Sequence, residues 1–294
     1  GIAWSKRYRN HQGRVIVMTG DGELQEGQIF ESMQTAAHQN INNITVIVDH
    51  NKCQTENPVE NIISLGDLET KFNSFGWHVD RCDGHKFIEL DRILTEFESI
   101  NDKPKILICD TIKGKGVSIM EHPYVLEKEG GIYPFHAGAP NDEVFNDAIS
   151  ELKLKVDSEI KDLSLSPIEY IDKTPESKKT SGMSDEFVAV SFTDALIDAA
   201  IKNDDIVLLD ADLLGDARLQ KFAKQFPERF IENGIAEQDM VSAAGGLALS
   251  GMLPFVNSFA SFLCARGNEQ IYNNHHLVSY LIMILLLVVL NLIL

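Results

Sequence analysis

Asp21 stands between two glycines at the end of an apolar run, in "RVIVMTGDGELQEGQIF" (14–30), and Asn51 follows thirty residues later at the end of a second run, in "VDHNKCQ". A carboxylate and an amide oxygen are hard donors, suited to magnesium rather than zinc. Magnesium needs only one or two protein carboxylates when phosphate oxygens complete its shell. Gly20 and Gly22 would let the backbone approach a diphosphate, whose charge the N-terminus of the following helix favours. Other phosphate patterns fail: a dinucleotide fingerprint would need glycine where Gln25 stands, and no GxxxxGK[ST] loop occurs. The competing reading is that Gly-Asp-Gly is only a turn and Asn51 another. The spacing, the strand context on both sides and the acid-rich "ELQEG" count against it. A second acid, Glu237, lies in "NGIAEQDM" at the start of a helix rich in alanine and glycine. The helix dipole alone favours a glutamate there; the small apolar residues around it also suit an acid working in a dry pocket. His136, in the loop "FHAGAP", precedes small residues and proline, a setting that fits a reacting site better than a core histidine.

These residues need elements to hold them. Val15–Met18, Ile44–Val48 and Ile106–Asp110 read as short apolar strands, with a helical pattern from Glu26 to Gln39 between the first two. Strand, helix, strand with continuous apolar strands predicts a parallel sheet covered on both faces. In open parallel sheets ligands sit at the carboxyl ends of the strands, where Asp21 and Asn51 both fall. A charged amphipathic helix follows from Asp142 to Glu159, then a stretch rich in proline, serine and lysine that reads as a linker. A second unit begins with a helix over Phe192–Lys202, a strand over Ile206–Asp210 and a helix over Arg218–Phe226. It continues through Phe230–Ile231 into the Glu237 helix and a further strand. The expected division is an α/β domain over 1–150, a linker over 151–184, a second α/β domain over 185–274 and an apolar tail over 275–294.

The chain has 294 residues, enough for two domains with cores of their own, and its hydrophobic content of 44% with 24% charged residues is ordinary for a soluble globular protein. A net charge of −18 excludes a nucleic-acid binder that works through a basic face. The four cysteines, Cys53, Cys82, Cys109 and Cys264, have no metal or CxxC spacing and suit a reducing, cytoplasmic setting. The first residues lack the apolar core of a signal peptide and start without methionine in a helical pattern, so an upstream portion is expected. Leu277 to Leu294 is an almost uninterrupted apolar run, just long enough for a membrane span. Its abrupt start and lack of period suggest a frameshifted or artefactual tail first, a membrane anchor second and a buried helix third. His275-His276 lacks the spacing and further ligands of a metal pair.

The stretch "TGDGELQEGQIFESMQTAAHQNINNITVIVDHNKCQ" resembles the thiamine-diphosphate motif in its transketolase form. The resemblance continues through "LETKFNSFGWHVDRCDGH", "DTIKGKGVSIMEHP" and "FHAGAPN", and resumes at "LLDADL", "FIENGIAEQDMVSAAGGLALSG" and "NSFASFLCARGNEQIYNN". It implies an α/β fold of two doubly wound parallel-sheet units, one binding the diphosphate and one the pyrimidine of thiamine diphosphate. It implies that Asp21, Asn51 and the backbone carbonyl of Cys53 ligate Mg2+, with Gly20, Gly22 and Glu23 at the diphosphate; Lys113 and Lys115, in "TIKGKG", read equally as lysines that shape the site and as surface lysines of a glycine-rich loop. It further implies that Glu237 hydrogen-bonds the cofactor's aminopyrimidine and so promotes the ylid, that Phe262 stacks on that ring, and that His136 faces cofactor and substrate. The implied reaction moves a two-carbon ketol unit from a ketose phosphate to an aldose phosphate, as in the pentose phosphate pathway, in a homodimer whose sites lie at the interface. A 1-deoxyxylulose-5-phosphate synthase-like enzyme and a truncated, non-catalytic membrane-associated relative are the alternatives. Against the family pattern, roughly a hundred residues would precede Gly1, and the match stops at Asn274, short of a third domain.

Overall fold

A computed structural model describes residues 1–171 and 188–277. The chain divides into two compact units, one of residues 1–111 with 189 onward and the other of residues 112–188.

In the first unit, helix α1 (Ile2–Tyr8) precedes strand β1 (Val15–Gly20), helix α2 (Gly27–His38) and strand β2 (Ile44–His50). Short helices α3 (Val59–Ile62) and α4 (Leu68–Ser74) lead to β3 (His78–Asp83), α5 (Phe87–Glu96) and β4 (Lys105–Asp110). The four strands form one parallel sheet in the order β1-β2-β4-β3. β2 and β4 take the centre because both their faces are apolar. Val48, Ile106 and Ile108 pack on one side with Leu24, Met33, Phe72 and Trp77, and Leu107 packs on the other with Ile93 and Phe97. Trp77 donates its indole N–H to the Met33 carbonyl at 3.0 Å, so its polar end is satisfied in that core.

Two features of this sheet depart from the sequence reading. β3 was not anticipated, because "HVDRCD" alternates polar and apolar residues; it lies at an edge, where one polar row can meet solvent. β1 was expected to be covered on both faces, yet it is the opposite edge, and Ile16 and Met18 are exposed, Met18 by 69%. Its Thr19 and Gly20 end is set by pairing with Val48 and Asp49 of β2.

The second sheet of this unit is parallel, in the order β6-β5-β7. Helix α8 (Val188–Lys202) feeds β5 (Ile206–Asp210), α9 (Gln220–Gln225), β6 (Phe230–Glu232), α10 (Glu237–Leu249) and β7 (Leu253–Asn257), followed by α11 (Ala260–Arg266) and α12 (Asn268–Leu277). β5 is buried along its whole length between two cores, one with Leu196, Leu219 and Phe222 and the other with Met240, Val241 and Leu263. One glycine of α10 has a packing reason: a Cβ on Gly245 would fall 2.2 Å from Asn274 Oδ1. Asn274 is buried there and donates to the Val241 carbonyl at 2.7 Å, seating α12 on α10.

In the unit of residues 112–188, α6 (His122–Lys128) is followed by α7 (Asp142–Asp162). Asn141 caps α7 by accepting from the Val144 amide at 2.9 Å, and Asp142 and Glu143 suit its positive end. The helix runs on to Asp162, through the first dozen residues assigned to the linker. Glu151 and Lys155 pair one turn apart at 2.6 Å and help carry it past the expected boundary at 150. Of the rest of the linker, residues 172–184 lie outside the described residues, as do 185–187 and the apolar run beyond Leu277. Among the described residues, no helix is long and apolar enough to cross a membrane.

Candidate active site

β1 and β2 end side by side, and the loops that follow them are tied together. The Asp21 amide donates to the Asp49 carbonyl at 3.1 Å, and its carboxylate caps the short turn Gly22–Gln25 by accepting from the Gly22 amide at 2.8 Å. The other oxygen accepts from the Lys52 amide, which the left-handed conformation of Lys52 (φ 64°) supplies. Asn51 Oδ1 accepts from the Cys53 amide at 3.0 Å. Asp21 and Asn51 therefore belong to one small cradle, as their spacing predicts. Asp21 is only 2% exposed. Burial pushes its carboxyl up from the ordinary range, opposed by the Lys52 and Gly22 amides. Cys53 is buried too.

The two glycines serve differently. A Cβ at Gly20 would meet nothing within 4 Å, so space lies open beside the backbone there. A Cβ at Gly22 would come within 2.8 Å of Gln54 Cγ, so that glycine makes room for a protein side chain. Glu23 folds back, accepting from Thr19 Oγ1 at 2.9 Å and the Gly20 amide at 3.2 Å.

A divalent cation is tested by this donor set. Among the described residues no cluster of three or more His, Cys, Asp or Glu could hold a metal by itself. The Asp21 carboxylate, the Asn51 amide oxygen and a backbone carbonyl are all hard oxygen donors. Each Asp21 oxygen accepts one amide, which leaves lone pairs for a cation. The set fits magnesium that draws its remaining ligands from phosphate.

Glu237 opens α10 and is 2% exposed, so its expected burial is met. Its carboxylate, however, is not surrounded by apolar groups alone. Arg266 Nη1, at the end of α11, lies 2.9 and 3.0 Å from its two oxygens, and Ser258 Oγ donates to it at 3.3 Å. The same Nη1 is 2.6 Å from Glu26 Oε1, at the cap of α2. Burial pushes the Glu26 carboxyl up, against the pull of Arg266. The guanidinium lies 4.3 Å over the ring of Phe262, which stays 36% exposed. Arg266 and Glu26 were not singled out in the sequence; only Arg266's place one helical turn after Phe262 hinted at it.

A second set of contacts joins the Asp21 loop to the loop before Glu237 within the one chain. Gln25 Nε2 donates to Gln54 Oε1 at 2.7 Å, and the Ile235 amide donates to Gln25 Oε1 at 2.9 Å. Gln54 Nε2 in turn donates to Asp212 Oδ2 at 2.8 Å. Gly234 (φ 67°) is required here, since a Cβ would fall 2.3 Å from Gln25 Oε1. Behind Asp212 sit two more acids, buried Asp210 at the end of β5 and half-buried Glu232 at the end of β6. Glu232 Oε1 accepts from the Asp212 and Gly234 amides, each at 2.9 Å, and Asp210 Oδ2 from the Leu213 amide at 2.9 Å. Burial pushes Asp212 and Asp210 up to about 6, and burial with the neighbouring Asp210 charge pushes Glu232 up to about 8. Sequence reading passed over these acids because "LLDADL" and "FIEN" look like ordinary strand ends.

His136 belongs to the unit of residues 112–188. Its Nδ1 lies 3.1 Å from Lys113 Nζ, which also sits 4.6 Å over the Tyr133 ring. Gly114 (φ 80°) lets this loop close, since a Cβ would fall 2.0 Å from the Met120 carbonyl oxygen. Lys115 pairs instead with Glu121 at 3.3 Å.

Comparison with known proteins gives two domain matches. Residues 7–124 match the family described as "Transketolase, thiamine diphosphate binding domain", and residues 188–288 match "Transketolase, pyrimidine binding domain". The chain is 30% identical over 286 residues to mouse transketolase-like protein 2, with 92% of this chain and 43% of the relative covered. It is 29% identical over 280 residues to human transketolase, with the same coverage. The crystal structure of Campylobacter jejuni transketolase aligns with a TM-score of 0.37 at 20% identity, covering 88% of this chain and 45% of that one. The chain thus spans less than half the length of the full transketolases it matches.

Proposed function

The chain belongs to the transketolase family, and on that premise we propose that it transfers a two-carbon ketol unit from a ketose phosphate to an aldose phosphate, as a homodimer using thiamine diphosphate and Mg2+. The observation that carries the cofactor reading is the joining, through Gln25 and Gln54, of the Asp21–Asn51 cradle to the loop before buried Glu237. The homodimer, in which Glu237 of one chain would serve the cofactor held at Asp21 of the other, is drawn from family membership alone. When bound, thiamine diphosphate would supply an acidic thiazolium carbon, the nucleophilic centre suited to a ketose carbonyl.

In this proposal the residues have separate tasks. Asp21, Asn51 and the Cys53 carbonyl hold the cation that neutralises the diphosphate, and the open space at Gly20 admits that group. Glu23 keeps the turn after β1 closed by holding the Gly20 amide. Glu237 would accept a hydrogen bond from a ring N–H of the aminopyrimidine and so hold a proton at that atom. Phe262 offers an aromatic face to the ring. His136, beside the Lys113 ammonium, hydrogen-bonds the substrate hydroxyls and moves a proton to or from them.

The test is transfer of label. A ketose phosphate carrying isotope in its first two carbons is supplied with an aldose phosphate, cofactor and Mg2+. Label in the ketose formed by lengthening the aldose, lost in Glu237→Gln, is the expected result. Product formed only when pyruvate replaces the ketose phosphate as donor would overturn the ketol donor.

A further inference from the structure

Among the described residues, Arg266 is the one group that touches both acids at the junction of the two sheets. It closes α11, and the turn after it is pressed onto α10: a Cβ on Gly267 would lie 3.3 Å from Val241 Cγ2 and 3.8 Å from the Glu237 carbonyl. The guanidinium carbon itself lies 4.3 Å over the face of Phe262. From this position Nη1 reaches both oxygens of Glu237 and, at 2.6 Å, Oε1 of Glu26. That Glu26 oxygen is buried and makes no hydrogen bond among the described residues, so the Arg266 charge is what compensates it. Two carboxylates brought together away from water repel unless a cation sits between them, and removing that cation drives one to protonate or swing out.

We propose that Arg266 is a positioning residue for Glu237: by bridging Glu237 to Glu26, it directs the Glu237 carboxylate and ties that direction to the cap of α2, which follows directly on the Asp21 turn. The inference rests on the reading of Glu237 given above, but its geometry exists without cofactor. Arg266 does not touch a reacting atom in this account. It sets where one acid points, and it makes the pyrimidine-side acid dependent on the diphosphate-side helix.

The experiment is a cycle of Arg266→Met, Glu26→Gln and the double variant, with Arg266→Lys as the conservative control. Methionine keeps an apolar side chain beside Phe262 and removes the charge. In the cofactor-free chain the readout is amide exchange at Met240, whose N–H donates to the Ala236 carbonyl at 3.0 Å in the first turn behind Glu237. Arg266→Met is expected to speed that exchange by about tenfold, and Glu26→Gln in the same chain to restore most of the protection. With cofactor and Mg2+ bound, the near-ultraviolet circular-dichroism band of the aminopyrimidine's imino tautomer should fall in Arg266→Met and return in the double variant. Arg266→Lys should lie between. Arg266→Met with unchanged exchange would overturn the proposal, and so would a defect that Glu26→Gln leaves untouched, since loss of packing on Phe262 has no reason to respond to a charge on α2. Failure of the unsubstituted chain to bind thiamine diphosphate would sink the proposed function, while the exchange cycle would still decide the role of Arg266.

Discussion

Gln54 Nε2 donates to Asp212 Oδ2 at 2.8 Å although 158 residues separate them, so the loop after β2 and the loop after β5 are held by a buried polar contact. A hydrogen bond to a charged buried group is worth about 1.5–3 kcal/mol, and its loss leaves the partner to be satisfied otherwise. Gln54→Ala should therefore lower stability by about 2 kcal/mol in chemical denaturation. An unchanged midpoint would mean that Asp212 finds another donor and that the contact does not hold the loops.

The two glycines around Asp21 differ in their surroundings, Gly22 facing Gln54 and Gly20 facing open space. Gly22→Ala should displace Gln54 and lower the thermal midpoint, because the new Cβ would come within 2.8 Å of Gln54 Cγ. Gly20→Ala meets no protein atom within 4 Å, so its stability should stay within about 0.5 kcal/mol of the parent. Its affinity for thiamine diphosphate should nonetheless fall, if the space beside Gly20 takes the diphosphate. Calorimetry on both variants checks the contrast; equal affinity in Gly20→Ala and the parent would place the diphosphate elsewhere.

Glu237→Gln keeps the shape of the side chain and removes its charge. Thiamine diphosphate should bind with affinity within about threefold of the parent, while deuterium exchange at the thiazolium carbon slows by about 100-fold or more. Nuclear magnetic resonance of the bound cofactor reads that exchange directly. Undiminished exchange would remove Glu237 from proton transfer.

Stability should fall at alkaline pH through the acids at the ends of β5 and β6. Burial lifts Asp210 to about 6 and Glu232 to about 8. Their folded values lie above the unfolded ones, so the folded state binds more protons. The stabilisation is fully present below the unfolded carboxyl range and is lost as pH rises through the folded values. From pH 5 to pH 9 the thermal midpoint should drop by on the order of 5 °C, and Glu232→Gln should flatten that drop. A midpoint rising over this range in the parent would contradict the assignment.

Much of the fold was readable because its strands are short, apolar and β-branched. β5 was placed at both ends, and β2 and β4 lacked only a residue or two. β3 escaped because an edge strand needs only one apolar row, and the exposure of β1 escaped because hydrophobicity alone does not say which strand ends a sheet. The cradle of Asp21 and Asn51 was legible because strand-end residues thirty apart must meet when their strands pair in parallel. Arg266, Gln25, Gln54 and the buried acids were not, because their partners lie far along the chain or across a sheet junction, where no local spacing records them. His136 illustrates the reverse case: its loop chemistry was visible in "FHAGAP", but its neighbour Lys113 lies twenty-three residues away.

The most direct measurement is calorimetric titration of the chain with thiamine diphosphate, with and without Mg2+, beside Asp21→Ala. The account predicts saturable binding that requires Mg2+ in the parent and is weakened at least about tenfold in Asp21→Ala, most strongly when Mg2+ is limiting. Binding that is indifferent to Mg2+, or that survives intact in Asp21→Ala, would contradict it.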